Sequence, residues 1–269
     1  MLKPERYRTI QIEKRDDGVA VATLNRPERL NAVNPTMHNE LSRLAADFDS
    51  DGDARALVIT GAGRAFSSGG DFGGDRGNAP PDPDAPVYVN SLHEARLIVD
   101  NMLDCEKPII SAVNGFAMGL GATVALLADV VVAARSAIFA DTHVRMGISA
   151  GDGGQVIWPA LIGPSRAKYY LMTGDRVSGE EAERIGLATF CVDDDQLMPR
   201  ALEIAARLAA GPTYAISASK VAVNKYLRFV SNMVTPLSLA MEEVSMTKDD
   251  HREAVRAFQE KREPKFTGR

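Results

Sequence analysis

Two glycine-rich segments each follow an apolar run that reads as a β-strand. One is Gly61 to Asp71 (GAGRAFSSGGD) after ALVIT; the other is Asn114 to Ala122 (NGFAMGLGA) after IISAV. Glycine opens backbone conformations closed to other residues and lets the main chain approach a ligand closely. The second segment runs into an apolar helix expected over 121–127, so unpaired N–H groups and the positive end of a helix dipole emerge from that turn. Two such turns facing each other form an oxyanion hole, a pair of main-chain donors for the negative oxygen of an enolate. Two ordinary tight turns use the same residues. Neither segment is a nucleotide loop, since Gly119-Leu120-Gly121 lacks the third glycine of the dinucleotide fingerprint and no Walker lysine follows.

The elements that must position these turns follow from periodicity. Thr9–Lys14 and Val19–Leu24 read as strands joined by the turn Asp16-Asp17-Gly18. Thr36 opens a helix with Met37, Leu41, Leu44, Ala45 and Phe48 on one face. Strands 56–60 and 109–113 flank a stretch, 61–90, rich in glycine and proline, of the length that marks a functional loop. Helix resumes near Ser91. Beyond Pro164 the chain reads as helices over 165–172, 179–185, 196–210, 214–229, 237–246 and 250–261. The alternation of strand and helix specifies an α/β fold. The expected division is a core over residues 1–200 and a helical section over 201–269. The stripe Leu237, Met241, Val244 reads as core or subunit interface.

Bulk composition narrows the function. A formal net charge of -5 over 269 residues argues against nucleic-acid binding. Two cysteines and four histidines without ligand spacing give neither a disulfide framework nor a metal site. Glycines, Asn114 and Asp129 interrupt the apolar stretch from Ile109 to Ala134, which therefore reads as strands and a helix, with no membrane span. The charged N-terminus lacks the apolar run of a signal peptide, so a cytoplasmic location is expected.

The strings LNRPERLNAV (24–33), GAGRAFSSGGD (61–71), KPIISAVNGFAMGLGATVALLAD (107–129), GDGG (151–154), LMTGDRVSGEEAERIGLA (171–188) and AFQEKREPKFTGR (257–269) together resemble the crotonase (enoyl-CoA hydratase/isomerase) superfamily, in its order and spacing. The resemblance implies an α/β crotonase-like ββα spiral core with a helical C-terminal section for trimerisation. It further implies a homotrimer or dimer of trimers, and an acyl-CoA substrate that supplies coenzyme A, with no permanently bound cofactor. Carried over by motif, the oxyanion donors fall on the N–H groups of Ser68 and Leu120. The CoA pocket falls on Ala32, Ala65, Ser67, Asp71 and Phe72, and Lys265 and Phe266 correspond to the part that closes over the nucleotide end. Main-chain donors make the side chains of Ser68 and Leu120 unimportant for this purpose.

The sequence departs from the hydratase pattern at both acid positions. The two hydratase glutamates fall on Thr123 and His143. Threonine exchanges no proton near neutral pH, whereas histidine does. Asp152, nine residues after His143, suits a partner that fixes the imidazole tautomer; it equally suits an N-cap of the helix leading to Trp158. A His/Asp pair at this spacing resembles the superfamily's β-diketone hydrolases, which cleave carbon–carbon bonds, although those use a further histidine that this glycine turn does not supply. Three functions follow: an enoyl-CoA hydratase/isomerase with His143 and Asp152 moving the proton, a carbon–carbon bond hydrolase, and a non-catalytic acyl-CoA binder.

Overall fold

The computed structural model describes residues 1–71 and 87–269. The first strands, β1 (Ile10–Lys14) and β2 (Val19–Leu24), form an antiparallel pair. Helix α1 (Pro35–Asp49) starts at Asn34, whose side chain accepts from the Met37 amide, with Pro35 in the first turn where a missing N–H costs nothing. It buries the expected stripe from Met37 to Phe48.

Three units of strand, short strand and helix or turn follow. They are β3 (Ala56–Gly61), β4 (Ala65–Ser67) and α2 (Val87–Asp104); β5 (Ile109–Val113), β6 (Phe116–Met118) and α3 (Leu120–Leu126); then β7 (Val130–Ala134), β8 (Ile138–Ala140) and a 3-10 turn, His143–Met146. The first strand of each unit joins one sheet and the second joins another. Helices α4 (Gly154–Ile162) and α5 (Pro164–Thr173), strand β9 (Val177–Ser178), helix α6 (Gly179–Ile185) and strand β10 (Phe190–Val192) complete this region. The larger sheet has the order β1-β2-β3-β5-β7-β10 and the smaller β4-β6-β8-β9. Both are parallel except for the β1/β2 and β8/β9 pairs. This is the crotonase spiral. Strands β3 and β5 are buried at every residue, as parallel strands covered on both faces must be.

Three boundaries differ from the sequence reading. Strands β4 and β6 of the second sheet lie inside stretches read as glycine turns, because three residues carry no usable periodicity. The division at residue 200 cuts through helix α7 (Leu197–Ala209), which buries Ala201, Ala205 and Ala209 completely and packs on β3 and β5. The helices expected over 214–229 and 237–246 are one helix, α8 (Thr213–Met246), running through Pro236. An interior proline removes a backbone hydrogen bond, but α8 is held on both sides of it. Asn224 donates to the Leu103 carbonyl at 2.9 Å on one side, and Ser238 donates to the Gly151 carbonyl at 2.9 Å on the other. The stripe Leu237, Met241, Val244 is more than half exposed in the single chain and is not core. Helix α9 (Asp249–Glu260) packs on the His143–Met146 turn. Among the described residues no helix is long and apolar enough to cross a membrane.

Candidate active site

Because β4 and β6 are parallel neighbours, the segments that leave their C-terminal ends run side by side. Two glycines set how closely. A Cβ on Gly69, whose φ is +85°, would come 2.9 Å from the Met118 carbonyl oxygen, and one on Gly121 would come 2.7 Å from the Ser67 Cβ. The two turns thus meet as expected.

The free amide on the first turn is not that of Ser68. Its amide donates to the Leu30 carbonyl at 3.0 Å and is committed to the loop below. Gly69 N donates to Ser67 Oγ at 3.2 Å and Asp71 N to the Val33 carbonyl at 3.1 Å. Gly70 is exposed, and its N–H has no partner among the described residues. On the second turn Gly119 N donates to the Ala140 carbonyl at 3.0 Å, and the first intrahelical bond runs from Thr123 N to Gly119 O at 3.0 Å. Between them the Leu120 amide has no acceptor among the described residues, in keeping with the first residue of a helix. The Leu120 side chain is 6% exposed and belongs to the core.

His143 begins the turn after β8, and its Cε1 is 3.4 Å from where a Cβ on Gly119 would stand, so the imidazole borders the second turn. Its Nδ1 lies 2.7 Å from Asp141 Oδ1 and its Nε2 lies 3.1 Å from Asp152 Oδ2. Thr123 Oγ1 donates to Asp152 Oδ1 at 3.4 Å. Asp152 is not an N-cap: Gly153 holds that position in α4, with no side-chain cap bond. Glu242 of α8 closes the cluster from the far side. A Cβ on Gly151 would come 2.5 Å from its Oε2, which has no hydrogen-bond partner among the described residues.

The electrostatics follow from burial and mutual charge. Burial alone would lower the His143 pKa, but the charges of Asp152 and Asp141 outweigh it and hold the imidazole well above its usual value. Burial raises Asp152, and the His143 charge more than reverses this, leaving it below the usual carboxylate range. For Glu242, burial and then the charge of Asp152 outweigh the opposing charge of His143 and push it to about 8.

The residues assigned to the CoA pocket separate. Ala65 and Ser67 are wholly buried, and Ser67 Oγ donates to the Asn31 carbonyl at 2.8 Å, so both support the first turn from beneath. Ala32 is 6% exposed, and Asp71 pairs with Arg26 at 3.0 Å. Phe72 lies outside the described residues. Lys265 and Phe266 are exposed on a tail tied back to α9 through the Lys265 amide to Glu253 at 3.0 Å and the Thr267 amide to Asp250 at 2.6 Å. Among the described residues no hydrogen bond or ion pair joins them to Ala32 or Ser67.

Three residues of this site escape the sequence reading. Nothing distinguishes Gly70 from its neighbours until the amide partners are known. Asp141 sits two residues from His143, a spacing that was a usable signal. Glu242 is one acid of a Glu-Glu pair on an amphipathic helix, with no mark of burial.

Known proteins agree with this architecture. The family model for enoyl-CoA hydratase/isomerase matches residues 14–269. A 1,2-epoxyphenylacetyl-CoA isomerase of Escherichia coli (strain K12) is 37% identical over 94% of this chain and 97% of its own. The crystal structure of an enoyl-CoA hydratase/isomerase from Mycobacterium paratuberculosis superposes with a TM-score of 0.86 at 36% identity, covering 93% of this chain and 98% of that one. A β-diketone hydrolase from the cyanobacterium Anabaena sp. PCC 7120, bound to (S)-3-oxocyclohexyl acetic acid, superposes at 0.81 with 27% identity over 92% and 98% of the two chains. The chain belongs to the enoyl-CoA hydratase/isomerase (crotonase) superfamily of acyl-CoA enzymes.

Proposed function

We propose that this enzyme shifts the double bond of an enoyl-CoA thioester by moving one proton between two carbons. The thioester oxygen would accept from the N–H groups of Gly70 and Leu120, and the Asp152–His143 pair would carry the proton. Preorganised main-chain donors stabilise the enolate and cannot themselves be deprotonated. The observation that carries this reading is the single relay Thr123–Asp152–His143 beside two unpartnered amides. Hydration needs two groups on one water, one giving and one taking a proton. Thr123 stands where the hydratase pattern has its first glutamate, and its hydroxyl is turned to Asp152. A double-bond shift takes a proton and returns it, which one relay does. Ala32 and Asp71 would border the CoA, and the exposed stripe of α8 would meet a second subunit of a trimer or a dimer of trimers.

The test is direct. A 3-enoyl-CoA given to the purified enzyme should gain the ultraviolet absorbance of a conjugated 2-enoyl thioester, while a 2-enoyl-CoA should keep it. Loss of the 2-enoyl absorbance would establish hydration instead. A second reading, carbon–carbon bond hydrolysis, draws on the 3.1 Å His143–Asp152 contact and the likeness to the Anabaena enzyme. It predicts that a cyclic β-diketone is consumed without CoA; an intact diketone removes it.

A further inference from the structure

Asp141 is wholly buried. Its Oδ1 receives the His143 amide at 3.3 Å and faces the ring Nδ1 at 2.7 Å, and its Oδ2 has no hydrogen-bond partner among the described residues. Asp152 Oδ2 faces the other ring nitrogen at 3.1 Å. An ionised carboxylate only accepts, and a neutral imidazole carries a single N–H. A neutral ring here would turn a lone pair onto one of its two carboxylates, whereas the imidazolium donates to both.

Charge balance leads the same way. Two buried carboxylates need a cation in contact, because removing either charge from water costs several kcal/mol, of order, when it is unpaired. No other cation bonds them among the described residues. From α1, His38 is taken by Glu94 of α2 at 2.7 Å, although its charge reaches Asp152. On the same turn as His143, Arg145 is directed to Asp175 at 3.6 Å. From α9, His251 donates to the Met146 carbonyl at 2.8 Å and Asp250 is taken by the C-terminal tail. Helix α5, which carries Arg166, Lys168, Tyr169 and Tyr170, packs on the His143–Met146 turn, and among the described residues none of the four bonds the ring. Glu242 of α8 is the third carboxyl, held neutral up to a pH of about 8.

We propose that Asp141 is a positioning residue that holds His143 as an imidazolium in the resting enzyme, so that the carboxylate of Asp152, and not the imidazole, takes the proton from the substrate. The step rests on the thioester reading above. The C–H bond next to the carbonyl breaks and its proton forms an O–H bond at Asp152 Oδ1, whose contact with the Thr123 hydroxyl at 3.4 Å leaves lone pairs available. The freed electron pair forms a C–C π bond, and the carbonyl π pair moves to the oxygen facing Gly70 and Leu120. The oxygen pair then re-forms the carbonyl, the carbon–carbon π pairs each shift one bond along, and the far carbon of the original double bond takes the proton back, which leaves the alkene conjugated and Asp152 ionised.

Ring-15N-labelled histidine in the wild-type enzyme decides the charge without any substrate, with His143 assigned by its loss in His143→Gln. Both ring nitrogens should resonate as N–H-bearing from mildly acid through neutral pH. A His143 that titrates near the ordinary value of about 6.5 overturns the proposal. In Asp141→Asn the midpoint should fall by about 1 to 3 pH units, the effect of losing one adjacent carboxylate. The alkaline limb of kcat/KM should fall with it. An unmoved midpoint, or a loss of rate uniform in pH, overturns the assignment of Asp141. If Asp141→Asn does not fold, the wild-type titration still decides whether His143 is charged. Failure of the thioester reading would appear separately, as no turnover of any enoyl-CoA beside an unchanged spectrum.

Discussion

The two sides of the candidate site are made of different material. On one side, Gly70 and Leu120 offer main-chain N–H groups from two turns held together by the β4/β6 pairing. On the other, buried Asp141, Asp152 and Glu242 and partly buried His143 arrive from three separate stretches of chain and meet through their side chains. The first side contains nothing that titrates, so pH cannot alter it. The second is dominated by mutual charge, and each member's protonation depends on the others. Stabilising an anion and moving a proton are thus assigned to separate structures, and each can be damaged alone.

The largest expected effect lies on the side-chain half. Asp152→Asn keeps the shape and removes the proton acceptor. It should lower kcat about 10²- to 10⁴-fold with little change in KM; a rate within tenfold of wild type would move the proton-transfer role elsewhere. On the main-chain half, Gly70→Pro deletes an N–H that bonds nothing among the described residues. Loss of one oxyanion donor costs about 3–4 kcal/mol in activation energy, or about 10²- to 10³-fold in kcat. Gly70→Ala, which keeps the N–H, should retain most of the rate, and equal losses in both variants would mean that shape alone matters there.

A third measurement separates the halves by pH. Glu242 titrates near 8 in the folded protein, whereas an unfolded chain releases this proton near the ordinary glutamate value. Between those values the folded state binds the extra proton, so stability falls as pH rises through the window, by up to about 1.4 kcal/mol per pH unit. Glu242→Gln should remove this slope. Its advantage over wild type in urea unfolding should widen from the acid to the alkaline end of the window, and a constant gap would place Glu242 in a solvated setting. The smallest effect is expected for Ser68→Ala. The Ser68 amide is committed to Leu30, and among the described residues the hydroxyl reaches only the Arg29 carbonyl at 3.5 Å. Its kcat/KM should stay within about twofold of wild type, since a surface side chain of this kind contributes little; a loss of the size seen in Gly70→Pro would return the donor role to Ser68.

Much was legible in the sequence for local reasons. The α1 stripe from Met37 to Phe48, the buried runs ALVIT and IISAV and the helix 179–185 were read from periodicity and apolar run length, which the chain carries within a few residues. The glycine turns were visible because close approach leaves only one residue type able to fit, as at Gly69 and Gly121. The pairing of His143 with Asp152 was visible because the chain has four histidines and one of them stands nine residues before an aspartate in a glycine run.

What the sequence left open depended on where distant segments stop relative to each other. Which of Ser68, Gly69 and Gly70 has a free amide is decided by the loop at Leu30 and Val33 that takes the neighbouring donors. Whether α8 breaks at Pro236 is decided by anchors on Leu103 and Gly151. Whether Glu242 is a solvated helix acid or a buried proton holder is decided by the Gly151 backbone it packs against. Residue types and their local rhythm set the elements and the chemistry at hand, because those depend on each residue and its near neighbours. The tertiary structure alone decided which amide is free and which acid is charged, because hydrogen-bond satisfaction and burial are properties of everything packed around a group.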